Sequence, residues 1–465
     1  MLDQSTICAI STSPGSGAIA VIRLSGDDAI SITGKIFRSP NQTKKIEEQP
    51  ANTLHFGQIV SKNEVIDEVV VALFRAPHSF TGEDIVEISC HGSVYIQQRI
   101  LEILVENGAR LARPGEYTQR AFLNGKMDLS QAEAVADVIA SSSAAAHRLA
   151  LKQMRGGFSK EINQLREQLL HFTAMVELEL DFSEEDVEFA DRTELRKLAE
   201  KVEHLLGKLK NSFHLGNAIK NGIPVAIVGE TNVGKSTLLN ALLNEDKAIV
   251  SDIHGTTRDV IEDVVNIHGT AFRFFDTAGL RETVDKIETL GIERTYDKLN
   301  AATVVLLVVD TQNPYSVVKS RIDKIRERLA PDQQLIIVAN KIDSGLEETK
   351  QQLTSIQLSA HEKIVFIAAK QKENLNELID LMTVSVNLDS ASQEDVIVTN
   401  ARHFEILKHA HEAIVRVLNG LDTGITGDFL SQDIRECLHY LGEITGEITN
   451  NEVLGHIFKN FCIGK

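Results

Sequence analysis

The segment GETNVGKS at positions 229–236 fits the phosphate-loop pattern G-x-x-x-x-G-K-[S/T]. An apolar run, Ile223–Val228, precedes it, and a helix-forming stretch from Ser236 to about Asn244 follows. In such a turn Gly229 and Gly234 let backbone N–H groups around Asn232 and Val233 curl about phosphate oxygens, and the helix N-terminus adds partial positive charge. Lys235 is placed to reach the β- and γ-phosphates, Ser236 to bind magnesium, and Thr237 continues the nucleotide-binding turn. The bland alternative is a chance glycine-rich link between a strand and a helix.

Four more segments supply what a nucleotide switch needs. Asp276, Thr277, Ala278 and Gly279 come directly after an apolar run, Phe272–Phe275. An aspartate there can hold the magnesium shell, and the Gly279 N–H can sense the γ-phosphate. Thr256 and Thr257 lie in the loop GTTRD that starts at Gly255, where a threonine can complete magnesium coordination only while the γ-phosphate is present. Asn340, Lys341, Ile342 and Asp343 close a further run, Leu335–Ala339. The Asp343 carboxylate can accept two N–H bonds, from guanine N1 and N2, whereas adenine offers no such pair and leaves the carboxylate unpaired. Ala368, Ala369 and Lys370 follow the run Ile364–Ile367; many GTPases have Ser where this chain has Ala368, which leaves a backbone contact to the base intact.

Small signalling GTPases resemble this segment but carry Gln after the glycine of D-T-A-G to orient the attacking water. Here that position is Leu280, which cannot do so. Glu282, two residues on, either orients the water or is a solvated loop carboxylate.

The elements around these loops define the architecture. Apolar runs at 223–228, 272–275, 303–309, 335–339 and 364–367 alternate with charged helical stretches such as Lys319–Leu329. The alternation predicts a mostly parallel α/β sheet over residues 221–383. From 126 to 220 the period is helical, with Ile162, Leu165, Leu169, Phe172 and Val176 on one face. It is helical again from 384 to 465, through His403–Leu418, Leu430–Leu441 and Asn451–Phe461. The economical reading is one discontinuous α-helical domain with the α/β P-loop domain inserted between its halves. Residues 1–125 read as an α+β domain, with strands at Ile19–Leu24, Gln58–Ile59, Val69–Phe74 and Ile85–Ser89 and a helix at Val94–Asn107.

Composition limits the function classes. At 465 residues and 43% hydrophobic content, each of two to four domains can bury a core. No run approaches the roughly 18 apolar residues of a membrane span, and the N-terminus lacks the layout of a signal or transit peptide. A cytoplasmic protein with reduced thiols is expected. Cys8, Cys90, Cys437 and Cys462 form no Cys-x-x-Cys pair, which argues against a zinc or redox motif. A formal net charge of −18 argues against coating nucleic acid by bulk electrostatics, yet permits an RNA gripped locally or held by a partner.

The combination of D-T-A-G with Leu280, Arg281 and Glu282, the GTTRD loop and the C-terminal FCIGK (461–465) resembles the MnmE (TrmE) family of tRNA modification GTPases, and the resemblance runs the length of the chain. The N-terminal segments VIRLSG (21–26), SFTGED (79–84), ARPGEY (112–117), RAFLNGK (120–126) and DLSQAE (128–133) carry it further. It implies a homodimer whose N-terminal domains bind a 5-formyltetrahydrofolate or related tetrahydrofolate, with Arg23, Glu87, Lys126 and Lys465 as folate contacts. Cations suit a glutamate tail, and a carboxylate suits the pterin N–H groups. It also implies potassium-dependent GTP hydrolysis across paired GTPase domains, the potassium replacing an arginine finger. The matching positions are Asn232 and the loop Ser251, Asp252, Ile253, His254, Gly255 and Thr256, with Asn232, Ser251, Ile253 and Thr256 as potassium ligands and Ser236 and Thr257 as magnesium ligands. Asn232 has a second reading, as a residue that stabilises the turn. By the resemblance Glu282 orients the water. The family also implies joint work with an FAD-containing MnmG-like partner in a heterotetramer. The product is an aminomethyl or carboxymethylaminomethyl group at C5 of the wobble uridine of a tRNA substrate. Cys462 is then either a thiolate nucleophile or, between Phe461 and Ile463, a packed small hydrophobe.

Ser93, His254 and Ala368 depart from the family pattern, at positions that touch no proposed ligand side chain. Two other readings share parts of the pattern. A potassium-dependent GTPase of ribosome assembly would have the same nucleotide motifs without the folate-like segments or the FCIGK end. A folate-dependent one-carbon enzyme with a regulatory GTPase insert would have both and a substrate other than RNA.

Overall fold

The computed structural model describes residues 5–41, 45–62, 64–181, 192–243, 263–275, 299, 302–331, 333–385, 396–449, 451–459, 461 and 463–464. The chain forms two compact units. One holds Met1–Ile139, Leu151–Glu203 and His409–Lys465, and the other holds Ala140–Ala150 and His204–Lys408. The chain thus leaves the first unit twice, for residues 140–150 and again for 204–408, and returns to it each time.

In the first unit seven described strands make one sheet: β1 (Ile7–Ile10), β2 (Ile19–Ser25), β3 (Phe37–Arg38), β4 (Thr53–Ser61), β5 (Glu64–Phe74), β6 (Ile85–His91) and β7 (Arg110–Leu111). Their spatial order is β3-β4-β5-β6-β2-β1-β7. Period-2 alternation sorts the faces. Ala20, Ile22 and Leu24 of β2 are buried with Val69, Val71, Leu73, Val86 and Ile88 under the helices Ala29–Ile36 and Val94–Glu106. Each such fully buried Ile, Leu or Val contributes about 1.5–3 kcal/mol. Val21 and Arg23 point to the opposite face, where Arg23 pairs in register with Glu87 of β6. The four-residue β1 and the long β4–β5 hairpin exceed the expected strands, because the apolar run at Ile7 is short and Phe56 and Val70 face outward on the hairpin, blurring its alternation.

The helices of this unit follow the expected period. Ile162, Leu165, Leu169 and Val176 are buried on the helix Gly157–Asp181, and Phe172 is half-buried. The helix Gly427–Thr445 packs on it and adds an ion pair from Arg435 to Glu177 at 2.5 Å. The last helix, Asn451–Phe458, stops three residues short of the expected end, and its Leu454 and Phe458 pack on Leu129 and Ala132.

The second unit carries β8 (Ile223–Val228), β9 (Asp263–Ile267), β10 (Thr270–Phe274), β11 (Val304–Asp310), β12 (Gln334–Asn340) and β13 (Glu362–Phe366), in the order β13-β12-β11-β8-β10-β9. All neighbours are parallel except β9 with β10. Both faces are covered, as a parallel sheet requires. Val304, Leu306 and Val308 belong to a core with Leu238 and Leu242, and Val305, Leu307 and Val309 to another with Val318 and Ile322. The second core rests on the helix Tyr315–Arg326. Among the described residues no helix is long and apolar enough to cross a membrane.

Candidate nucleotide and folate sites

The loops after β8, β12 and β13 leave the carboxyl ends of parallel strands, the edge at which open α/β sheets bind ligands. The phosphate loop has a backbone that glycine makes accessible. Gly229 has φ +148°, and a Cβ there would lie 2.4 Å from the Val308 carbonyl oxygen. Gly234 has φ +102°, and its Cβ would lie 2.3 Å from Asn340 Nδ2. Asn232 sits at φ +63°, a left-handed conformation that Asn enters more readily than most residues. The turn itself therefore gives Asn232 one reason to be there.

Lys235 begins the following helix and folds over the loop, donating from Nζ to the Gly229 oxygen at 2.8 Å and the Glu230 oxygen at 2.6 Å. Burial pushes its pKa down, and the Glu230 charge opposes this. An ammonium held by carbonyls inside an N–H-lined turn is suited to exchange those carbonyls for phosphate oxygens. Ser236 is half-buried and Thr237 exposed beside it.

Asn340 connects this loop to the segments that follow β12 and β13. Its side chain is buried; Nδ2 donates to the Val233 oxygen at 2.8 Å, and Oδ1 accepts from the Ala369 N–H at 3.0 Å. The two partners, a carbonyl and an N–H, leave a single amide orientation. Lys341, at φ +63°, reaches Asp310 at 2.6 Å, and the Ile342 N–H donates to the Ile367 oxygen. These bonds gather Asn340, Lys341, Ile342, Ala368 and Ala369 against the phosphate loop and leave Asp343 and Lys370 exposed at the rim. Gln371, passed over in the sequence, donates from Nε2 to Asp343 Oδ2 at 3.0 Å. Ser251, Asp252, Ile253, His254, Gly255, Thr256, Thr257, Asp276, Thr277, Ala278, Gly279 and Glu282 lie outside the described residues.

The N-terminal site is built across β2 and β6. Arg23 Nη2 lies 2.7 Å and Nε 2.9 Å from Glu87 Oε1, with both side chains half-buried. The guanidinium stands 5.8 Å from the Phe80 ring and 5.7 Å from the Tyr117 ring, within cation–π range. The Tyr117 hydroxyl donates to the Arg23 carbonyl at 2.7 Å. The C-terminal tail arrives here: the Gly464 oxygen accepts from the Ser11 hydroxyl at 3.1 Å and from Arg23 Nη1 at 3.4 Å. Lys126 is exposed and donates to the Pro77 carbonyl at 2.9 Å, at the start of the loop that carries Phe80. Lys465 and Cys462 lie outside the described residues. A carboxylate and a guanidinium on one sheet face, beside the exposed Phe80 ring and backed by the buried Tyr117 ring, fit a flat, polar heterocycle with an anionic tail.

The residues that hold this loop carried a weaker signal. Arg120 is buried, and its Nη1 binds both Glu83 oxygens at 3.0 and 3.1 Å while Nη2 donates to the Ser5 carbonyl. Glu83 also accepts from the Ser25 hydroxyl at 2.7 Å. Glu116, buried beside Arg120, accepts from Arg110 and from the Arg113 N–H. Burial opposes ionisation of Glu116, but those hydrogen bonds and the nearby guanidinium charges outweigh it and hold its carboxyl below the ordinary glutamate value. Glu83, Glu116 and Arg120 all stand inside the quoted N-terminal segments, so the signal was present but its role was not. Burial pushes the Cys8 and Cys90 thiols up to about 11, and Cys437 up to about 12, so these three are packed thiols rather than nucleophiles.

Residues 6–126 match the family model described as GTP-binding protein TrmE N-terminus, and residues 129–462 match that of the MnmE helical domain. The tRNA modification GTPase MnmE of Bacteroides thetaiotaomicron is 60% identical over 467 residues, covering 100% of both chains. The protein of the same name from Parabacteroides distasonis is 59% identical, covering 99% of this chain and 100% of its own. That of Flavobacterium johnsoniae is 51% identical, covering 100% of both.

Proposed function

The chain belongs to the MnmE family of tRNA modification GTPases, and from that premise we propose that it couples GTP hydrolysis to modification of the wobble uridine at C5, together with an FAD-containing MnmG-like partner and a tetrahydrofolate one-carbon donor. The observation that carries the nucleotide half is the Asn340 side chain, whose two hydrogen bonds draw the phosphate loop and both base-reading segments into one site. GTP and magnesium follow from the GTPase family. Lys235 and the phosphate-loop N–H groups bind the phosphates, Ser236 and Thr257 hold magnesium, and Asp343 reads guanine. Magnesium, when bound, neutralises charge on the transferred phosphoryl group.

Potassium is proposed at Asn232, Ser251, Ile253 and Thr256, and Glu282 is the proposed water-orienting residue. Arg23, Glu87, Lys126 and Lys465 are the proposed folate contacts. The Arg23–Glu87 pair between Phe80 and Tyr117 supports this placement. The substrate is a tRNA, and the active form is a homodimer that joins the partner in a heterotetramer.

The test is GTP hydrolysis in potassium and in sodium, for the wild type and Glu282→Ala, with nucleoside analysis of tRNA from cells lacking the protein. A potassium requirement, a variant that binds but does not hydrolyse, and loss of the C5-modified uridine are expected. Equal rates in both salts with an active variant would remove the roles of Asn232 and Glu282. Unchanged nucleosides would remove the tRNA reaction.

A further inference from the structure

The carboxylate proposed to read the base is not left to rotate. Gln371 donates from its side-chain amide to Asp343 Oδ2 at 3.0 Å. Both residues stand on constrained backbone. Gln371 lies in a tight turn closed by its own N–H and that of Glu373 to the Ala368 oxygen, both at 3.1 Å, with the Ala368 N–H returning to Glu373 at 3.3 Å. On the other side, the Ser344 N–H donates to the Lys341 oxygen at 3.1 Å, Lys341 is anchored to Asp310, and the Thr311 hydroxyl lies 2.9 and 3.0 Å from the Asn340 and Lys341 oxygens. Ala368 brings only a methyl group to this turn, so the loop's side-chain donor to Asp343 is the amide three residues on.

We propose that Gln371 is a positioning and specificity-determining residue for guanine, holding the Asp343 carboxylate in the orientation in which both oxygens accept from the base. A carboxylate oxygen offers about two lone-pair sites, so one amide bond to Oδ2 leaves room for a base donor. The terminal torsion of an aspartate is broad and roughly two-fold. Without the amide the carboxylate must be ordered at the moment of binding, and affinity falls accordingly. Guanine, which presents N1–H and N2–H together, depends on that orientation. Hypoxanthine, with N1–H alone, needs one oxygen and is less sensitive to it. The inference rests on the reading of this site as a guanine site.

The experiment is titration of full-length wild type, Gln371→Ala, Gln371→Glu and Asp343→Ala with fluorescent GDP and IDP, alongside thermal midpoints to confirm folding. Gln371→Ala is expected to weaken GDP about three- to tenfold, the scale of one lost hydrogen bond, and to narrow the GDP-over-IDP preference by a similar factor. Gln371→Glu, which sets a second carboxylate against Asp343, is expected to weaken GDP further. An unchanged preference, or tighter GDP binding because the amide competes with the base, overturns the inference while leaving the guanine site in place if Asp343→Ala abolishes binding. Wild type that does not bind GDP, or full GDP affinity in Asp343→Ala, overturns the guanine reading and the inference with it.

Discussion

Arg321, on the helix Tyr315–Arg326, is ion-paired with Glu230, the second residue of the phosphate loop. The Glu230 carbonyl is at the same time an acceptor for Lys235 Nζ, so a carboxylate hangs from the backbone that also cradles the Lys235 ammonium. Arg321 neutralises a negative charge at the loop proposed to hold the triphosphate. Arg321→Ala is expected to weaken GTP binding a few-fold, and GTP more than GDP because of the extra charge. The pair is partly exposed, which limits it to about 0.2–1 kcal/mol. Adding Glu230→Gln should restore most of the loss, and high salt should erase the difference. Nucleotide titration of the single and double variants at two salt concentrations measures it. A loss that Glu230→Gln does not relieve would mean that Arg321 acts by packing.

The buried amide of Asn340 sets a larger effect. Asn340→Ala removes the partner of the Val233 carbonyl and of the Ala369 N–H, each costing about 1–3 kcal/mol if left unsatisfied. Asn340→Asp is expected to be no better, since one carboxylate oxygen would then face the Val233 carbonyl. Both variants should lose nucleotide affinity and several degrees of melting temperature. A variant with wild-type affinity would show that the three loops are held together by other means.

Much of this was legible in the sequence, for a physical reason. The central strands are apolar throughout because both faces are covered, so 223–228, 304–310 and 334–340 stand out as runs, with the chemistry at their ends. The N-terminal sheet was harder to read. Phe56 and Val70 face outward on a hairpin whose buried face is also apolar, and β1 has only four residues. Pairings across long separations were not legible at all. Nothing in the spacing of Glu230 and Arg321, Asp343 and Gln371, or Arg120 and Glu83 announces a contact, because these pairs follow from how strands and helices are stacked rather than from any local period. Asn340 appeared as part of a base-reading motif. Only the fold shows that its side chain also holds the phosphate loop.

The Glu116 cluster gives the N-terminal unit a pH dependence. Its carboxyl is held below the ordinary value in the folded state, so its stabilising contribution is fully present above the unfolded-state pKa of about 4.3. It is lost as pH falls through the lower folded value. Glu116→Gln should therefore lower stability at neutral pH, where Arg110 and Arg120 lose one charged acceptor, and shrink the gap to wild type on acidification. Denaturant melts from pH 7 to pH 3 provide the measurement. A gap that stays constant across that range would exclude Glu116 as the linked group.

The C-terminal tail offers a separation of functions. Gly464 has φ +94°, and a Cβ there would lie 2.4 Å from the Ile10 carbonyl oxygen, so the tail fits beside Ser11 and Arg23 only because the residue is glycine. Gly464→Ala faces both a left-handed backbone cost of about 1–3 kcal/mol and that clash. The local bonds to Ser11 and Arg23 are too few to offset them. The tail should detach, raising amide exchange around Ser11 and weakening the proposed folate binding at Arg23, while GTP hydrolysis, proposed for the phosphate loop in the other compact unit, keeps its rate. Folate titration and GTP turnover on the same preparation check both halves. Folate affinity equal to wild type, with the tail shown by exchange to be released, would place the Arg23–Glu87 site outside the tail's influence.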